Sequence, residues 1–312
     1  MLLDKGADPN VVCRDSDGKT CGILYEALKT DNVELIGRLL NYGIVPYSTM
    51  LSDACERTYI NLIKQILKCK TEKQCENLNK RTRNTKEDTF IDAVVDNDVD
   101  KTCMLLSQGS VPNIDLLFVA VGLSYHSMSK ALLTSHHKFD MSVQCNHDTV
   151  VPHSILRYVV WNEWVDVLEL LLELGADSNS IHQDVSGLKY TLLQYAVECD
   201  NDNYSLVETL IKYGANPNTE FLDGNTALYH AICSDLPGIA EALLRHGADP
   251  DLQGEHMSSK LTVLEVAVCK CSLPLVSLLL KFHANPNTFG SSRDRFNNTY
   301  KYFPLWYAVN NN

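Results

Sequence analysis

One pattern of apolar and polar positions recurs along this chain. Its clearest copy is GNTALYHAICSDLPGIAEALLRHGADPD, residues 224–251. Ala227 to Cys233 suits a short helix opened by Thr226, whose hydroxyl can accept a free backbone N–H. Pro237 stands where a second helix starts, a place where its missing N–H costs nothing. Ile239, Ala240, Leu243 and Leu244 then fall on one helical face, and Gly247 can take the left-handed backbone that stops the helix. Two helices this short cannot bury that face alone, so the hairpin needs copies of itself alongside.

Those copies are present. Five helix ends are nearly identical: LLDKGADPN (2–10), LLELGADSN (171–179), LIKYGANPN (210–218), LLRHGADPD (243–251) and LLKFHANPN (279–287). Weaker versions run over 39–47, 105–113 and 132–140, and the most eroded is ILKCKTEKQ at 66–74. With Gly6, Gly43, Lys70, Gly109, His136, Gly175, Gly214, Gly247 and His283 as equivalents, successive steps span 27 to 39 residues. That is the spacing of a solenoid rather than of a globular domain. The helix openings are looser: GILYEA (22–27), TMLSDA (49–54), DLLFVA (115–120), SILRYV (154–159), TLLQYA (191–196), TALYHA (226–231), TVLEVA (262–267) and FPLWYA (303–308). A small polar residue usually leads, a Leu follows two places later, and a small residue comes three after that. Length varies mostly in the connections, apart from two extra residues near 201–203.

The unit resembles the ankyrin repeat, which runs roughly G-x-T-P-L-H-x-A-A and then a second helix ending L-L-x-x-G-A-D. The resemblance is strong over 175–287 and weak over 70–140. It implies an all-α, ankyrin-type α-solenoid with β-hairpin or loop fingers. The expected organisation is a single array over 1–312, with about eight complete repeats, a half repeat at each end and an irregular insertion at 71–88. The Pro of the T-P-L-H tetrapeptide survives only at Pro304, and its His nowhere. In the family that His ties the repeat's backbone together, so looser repeats are expected. In the family the connection between repeats forms a projecting hairpin, and the twelve-residue connection from Gly214 to Thr226 fits that length best. Only six residues lead from Gly43 to Thr49 and from Gly109 to Asp115, too few for two strands and a turn. Connections over 70–88, 136–154 and 283–303 should project further. Residues 71–88, polar and without an apolar period, read as a surface loop. Its Lys80, Arg81 and Arg83 fit a solvated loop better than a nuclear-import signal.

The 312 residues carry a formal charge of −12. That argues against phosphate-backbone binding as the main role, so no nucleic-acid partner is expected. No apolar run approaches the ~20 residues of a membrane span, and no signal peptide is visible. Eleven cysteines, an odd number without a secretory signal, read as reduced thiols in a cytoplasmic or nuclear protein. A solenoid escapes the size limit on a single core because each unit buries surface against its neighbours. Each large apolar side chain buried contributes about 1.5–3 kcal/mol, most of it offset by chain entropy. The chain opens inside a second helix and closes after a first one, leaving Leu2, Leu3, Leu305 and Trp306 uncovered, so it reads as part of a longer array.

No catalytic, cofactor or metal signature is present. Cys269-Lys270-Cys271 lacks the C-x2-C spacing and distant pair of a zinc site. His136-His137 sits at an eroded helix end, and His230 and His246 have no clear Asp or Cys partner. His246 suits a helix C-terminus, where the dipole favours it. Nucleophile-elbow, phosphate-loop and H-E-x-x-H patterns are absent.

The family implies a partner protein on a concave face lined by finger tips and first-helix ends. The helix-end candidates are Trp161, Asn162, Glu198, Ser234 and Lys270, with Cys199, Cys233 and Cys269 beside them. The finger candidates are Gln183, Asp184, Phe221, Leu222, Asp223, Gln253, Glu255 and His256. Trp161 leads, because aromatics concentrate at binding hot spots; the competing expectation is that it packs on Tyr195. Trp164 reads as a wedge at the start of the second helix. The leading function is a non-catalytic interaction scaffold. The alternatives are an adaptor delivering substrates to a ubiquitin ligase and the regulatory segment of a larger enzyme or channel.

Overall fold

A computed structural model describes residues 5, 12–14, 20–30, 32–42, 44, 50–77, 85–135, 139, 155–183, 189–198, 203–220, 224–256, 259–293 and 299–310. The chain divides into two compact units, Met1–Ile155 and Leu156–Asn312. Both are built from antiparallel helical hairpins, the all-α solenoid architecture expected from the repeats.

The first unit opens with a hairpin, β1 (Val12–Arg14) against β2 (Thr20–Gly22), in register at Cys13 and Cys21. Four helix pairs follow: α1 (Ile23–Lys29) and α2 (Val33–Asn41), α3 (Met50–Glu56) and α4 (Ile60–Asn77), α5 (Thr85–Val95) and α6 (Val99–Ser107), then α7 (Ile114–Gly122) and α8 (His126–Thr134). Asn32, Asp98 and Asn113 accept backbone N–H groups at 2.9–3.0 Å and cap α2, α6 and α7.

Two expectations are corrected here. Residues 71–88 are not simply a loop, because α4 continues to Asn77 and α5 begins at Thr85. Lys70 stands where the other copies carry glycine, so nothing at that point favours a left-handed stop. The basic cluster at Lys80, Arg81 and Arg83 lies outside the described residues. Repeats also do not pack on nearest neighbours alone. α5 lies on α4, with Lys64 2.6 Å from Asp96 and Lys68 3.0 Å from Asp92. α7 packs on α5 and also reaches α3, two repeats back. Gly122 makes that approach possible, since a Cβ there would stand 3.1 Å from the Cβ of Cys55. The short connection after Gly109 carries no strand, as its length requires; its counterpart after Gly43 is mostly outside the described residues.

The second unit is more regular. It runs α9 (Ile155–Trp161) and α10 (Val165–Glu173), β3 (Ile181–Gln183) and β4 (Lys189–Thr191), α11 (Leu192–Glu198) and α12 (Tyr204–Lys212), then α13 (Ala227–Cys233) and α14 (Pro237–Arg245). It continues through β5 (Gln253–His256), β6 (Ser259–Thr262), α15 (Val263–Cys269), α16 (Leu273–Lys281), β7 (Gly290–Arg293), β8 (Thr299–Tyr302) and α17 (Pro304–Asn310). First helices stack in succession, α11 on α13 on α15 on α17, and second helices likewise, α10 on α12 on α14 on α16. Leu168, Leu171, Leu210, Leu243 and Leu279 are wholly buried along the shared spine. Thr226 caps α13, Pro237 opens α14, and Gly175, Gly214 and Gly247 close their helices at φ near +90°.

The ends LGADSN, YGANPN and HGADPD also lock one repeat to the next. Asn179 donates to the Gly214 carbonyl at 2.8 Å and accepts from the Asn216 N–H at 2.8 Å. Asn218 does the same with Gly247 and Asp249. Asp251 fills the third rung and accepts from the Asn285 N–H at 2.8 Å, but a carboxylate has no proton to donate.

The fingers differ from expectation in one respect. β3 pairs with β4, and β5, β6, β7 and β8 form a four-stranded antiparallel sheet. The twelve-residue connection from Gly214 to Thr226 carries no strand among its described residues. Hairpins occur instead in the longer connections after Gly175, Gly247 and His283, where chain remains for strands after the turns at each end.

Candidate protein-binding face

The helices α9, α11, α13 and α15 are each seven residues long and end at Trp161, Glu198, Cys233 and Cys269. Equivalent positions on successive repeats fall in a row. Trp161 is 58% exposed, and the Arg157 guanidinium lies 5.8 Å from its ring centre. Tyr195 stacks on Tyr190 at 5.5 Å, a different partner from the one expected for it. Asn162 donates to the Tyr158 carbonyl at 2.7 Å and is half-buried. Glu198 accepts from Gln194 at 3.2 Å and lies 3.7 Å from His230. Ser234 and Lys270 are exposed and terminate α13 and α15. Burial pushes the Cys269 thiol above its usual range. Trp164, half-buried, occupies the residue just before α10.

The fingers are seated by a second row, one residue after the opening Leu of each first helix: Arg157, Gln194, Tyr229 and Glu265. This is the place of the family's absent His. Arg157, Tyr229 and Glu265 face the finger residues His182, Gly254 and Gly290, each seven positions after the helix-ending residue; the corresponding residue of the Gln194 repeat, Phe221, lies outside the described residues. Glu265 is wholly buried. One oxygen accepts from the Thr262 N–H at 2.8 Å and the Thr262 hydroxyl at 3.1 Å, and the other from the Gly290 N–H at 2.9 Å. Burial raises its carboxyl pKa, and the hydrogen bonds from Thr262 and Gly290 oppose that rise. A methyl group at Gly290 would collide with this carboxylate, and one at Gly254 with the Tyr229 ring and the Asn225 side chain. The expectation of looser repeats is therefore corrected at this repeat. Here a carboxylate binds helix cap to finger, accepting backbone N–H groups.

In the α9 repeat the finger residue is His182, only 3% exposed. Its Nε2 lies 2.8 Å from the Ser180 hydroxyl and its ring 6.1 Å from Tyr190. Its pKa is lowered to about 4, first by burial and then by the Arg157 charge, with Asp177 opposing.

Of the expected finger contacts, Gln253 is exposed on β5 and donates to the Phe289 carbonyl at 2.9 Å. Gln183 lies on β3, and Glu255 and His256 on β5. Asp184, Phe221, Leu222 and Asp223 lie outside the described residues. The residues missed at first were Arg157, Gln194, Glu265 and His182. Gly254 and Gly290 were the available signal, since glycine within a strand marks a close approach of backbone. Among the described residues, no cluster of three or more His, Cys, Asp or Glu is arranged to hold a metal ion. No helix among them is long and apolar enough to cross a membrane.

A family model for ankyrin repeats matches residues 156–254 in three copies. The mouse B-cell lymphoma 3 protein homolog is 27% identical over 171 residues, covering 49% of this chain and 37% of that protein. A putative ankyrin repeat protein of fowlpox virus is 28% identical over 130 residues, covering 40% of this chain and 29% of its own length. The potassium channel AKT1 of indica rice is 38% identical over 63 residues, 20% of this chain and 7% of the channel. The chain thus spans well under half the length of these relatives. Ankyrin repeats are in general protein–protein interaction modules built on a non-catalytic fold. Residues 156–254 are thus ankyrin repeats, and the repeat spacing and stacked helical hairpins make the rest of the chain similar to that family.

Proposed function

We propose that this chain is a non-catalytic scaffold that binds a partner protein through the row of first-helix ends and the adjoining fingers. The observation that carries this is Trp161, a large aromatic side chain left 58% exposed within a row of equivalent positions. Buried Trp is a common hot spot at interfaces, and leaving it in water gives up apolar burial that a partner can recover. On this reading the scaffold acts in the cytoplasm or nucleus.

A regulatory ankyrin segment within a larger protein is the second reading. The 63-residue match to a plant potassium channel favours it. The ubiquitin-ligase adaptor reading has no such support.

The test is capture from cytosolic extract with the native chain and with Trp161→Ala. Loss of captured proteins with an unchanged melting temperature is expected. Unchanged capture, with or without a fall in melting temperature, would overturn the assignment.

A further inference from the structure

We infer that the row of first-helix ends recognises an extended segment with an apolar anchor, a basic residue about three positions from it and an acidic residue about nine positions from it. This rests on the scaffold function proposed above and adds the chemistry of the partner.

Packed helices lie roughly 8–10 Å apart, and an extended chain advances about 3.3 Å per residue. One repeat therefore corresponds to about three residues of a segment laid across the row. The first station is Trp161. The Arg157 guanidinium lies close to its ring, which disfavours a second cation there and leaves apolar contact as the ring's available interaction. Ile181, 67% exposed, is a second exposed apolar side chain of the same repeat, on its finger.

One repeat on, the equivalent residue is Glu198. Its side chain is 44% exposed, with His230 at 3.7 Å and the Gln194 amide at 3.2 Å. A lysine or arginine three residues from the anchor would meet this carboxylate; a carboxylate there would be repelled. The third station, Cys233 with Ser234, is small and uncharged. The fourth carries the exposed ammonium of Lys270, which complements an acidic residue. The order apolar, basic, small, acidic is thus read from four successive repeats of one compact unit, and it holds for either chain direction of the partner.

The test is selection of random 12-residue peptides displayed on phage against the whole chain. It is repeated with Trp161→Ala, Glu198→Gln, Glu198→Lys and Lys270→Glu, each checked for an unchanged melting temperature. The wild type should enrich peptides with a basic residue three positions from an apolar one. Those peptides should bind Glu198→Lys at least tenfold more weakly, and Glu198→Lys should itself enrich an acidic residue at that position. Trp161-dependent binders without this charge preference would overturn the inference and leave the scaffold function standing. If no peptide binds in a Trp161-dependent way while capture from extract still depends on Trp161, an extended segment is the wrong partner. If capture also ignores Trp161, both fall.

Discussion

Residues 156–287 and residues 50–122 are built from the same helical hairpin but stack differently. In the first stretch helices α10 to α16 pack on their counterparts one repeat away, and in the second α7 reaches past α5 to touch α3. The difference lies in the helix ends. At Gly175, Gly214 and Gly247 left-handed glycines stop the helices, and the side chains of Asn179, Asn218 and Asp251 hold each end to the backbone of the next. Lys70 stands in place of the glycine, no such ladder occurs there among the described residues, and α4 runs on to Asn77. Stacking there depends on apolar packing and on the Lys64–Asp96 and Lys68–Asp92 pairs, which fix position less strictly than paired backbone groups. The repeat's polar ending is thus a device for register as well as a turn.

The largest test of this contrast concerns the seat of the fingers. Glu265→Leu leaves the Thr262 and Gly290 N–H groups without their acceptor in a buried place, at a cost of about 2–5 kcal/mol. Gln194→Leu, at the equivalent position, should cost less than about 1 kcal/mol, because its side-chain oxygen is already buried without a hydrogen bond among the described residues. Urea unfolding of the two variants compares them. Equal losses would mean that burial volume rather than the carboxylate seats the finger.

His182 gives an effect of similar size through pH. Its folded pKa of about 4 lies below the ordinary 6.5, so the unfolded chain binds more protons between those values. Its contribution is fully present above pH 6.5 and is lost as pH falls toward 4, by about 3 kcal/mol in all. His182→Gln should flatten that part of the stability profile. Thermal melts from pH 7.5 to 4.5 measure it, and an unchanged slope in the variant would place the titrating group elsewhere.

The ladder predicts smaller changes of opposite sign. Asn218→Ala removes two inter-repeat hydrogen bonds and should destabilise by about 1–2 kcal/mol. Asp251→Asn supplies the missing donor at the third rung and should stabilise by about 0.5–1 kcal/mol. Hydrogen exchange of the neighbouring turn amides would show whether these effects are local. If Asp251→Asn gains nothing, the rung is satisfied by other means.

The candidate site was partly legible beforehand. The row of Trp161, Glu198, Ser234 and Lys270 followed from counting along the repeat. The seat beneath it did not, because Arg157, Gln194, Tyr229 and Glu265 have nothing in common as residues; only their shared position relates them. Three-dimensional pairing across 25 residues, from Glu265 to Gly290, was needed to see what they do. The six- and twelve-residue connections show the same limit. Length alone excluded strands in the shortest, but whether twelve residues form a hairpin depends on how much chain the flanking turns consume.

Taken alone, the amino-acid order determined the helical hairpins, their repetition and the apolar spine, because these depend on local periodicity, caps and glycine stops within a single unit. Tertiary structure decided the contact between α3 and α7 and the pairing of Glu265 with Gly290. Those features arise between units distant in sequence, where space left by one repeat and hydrogen-bonding groups offered by another fix the outcome.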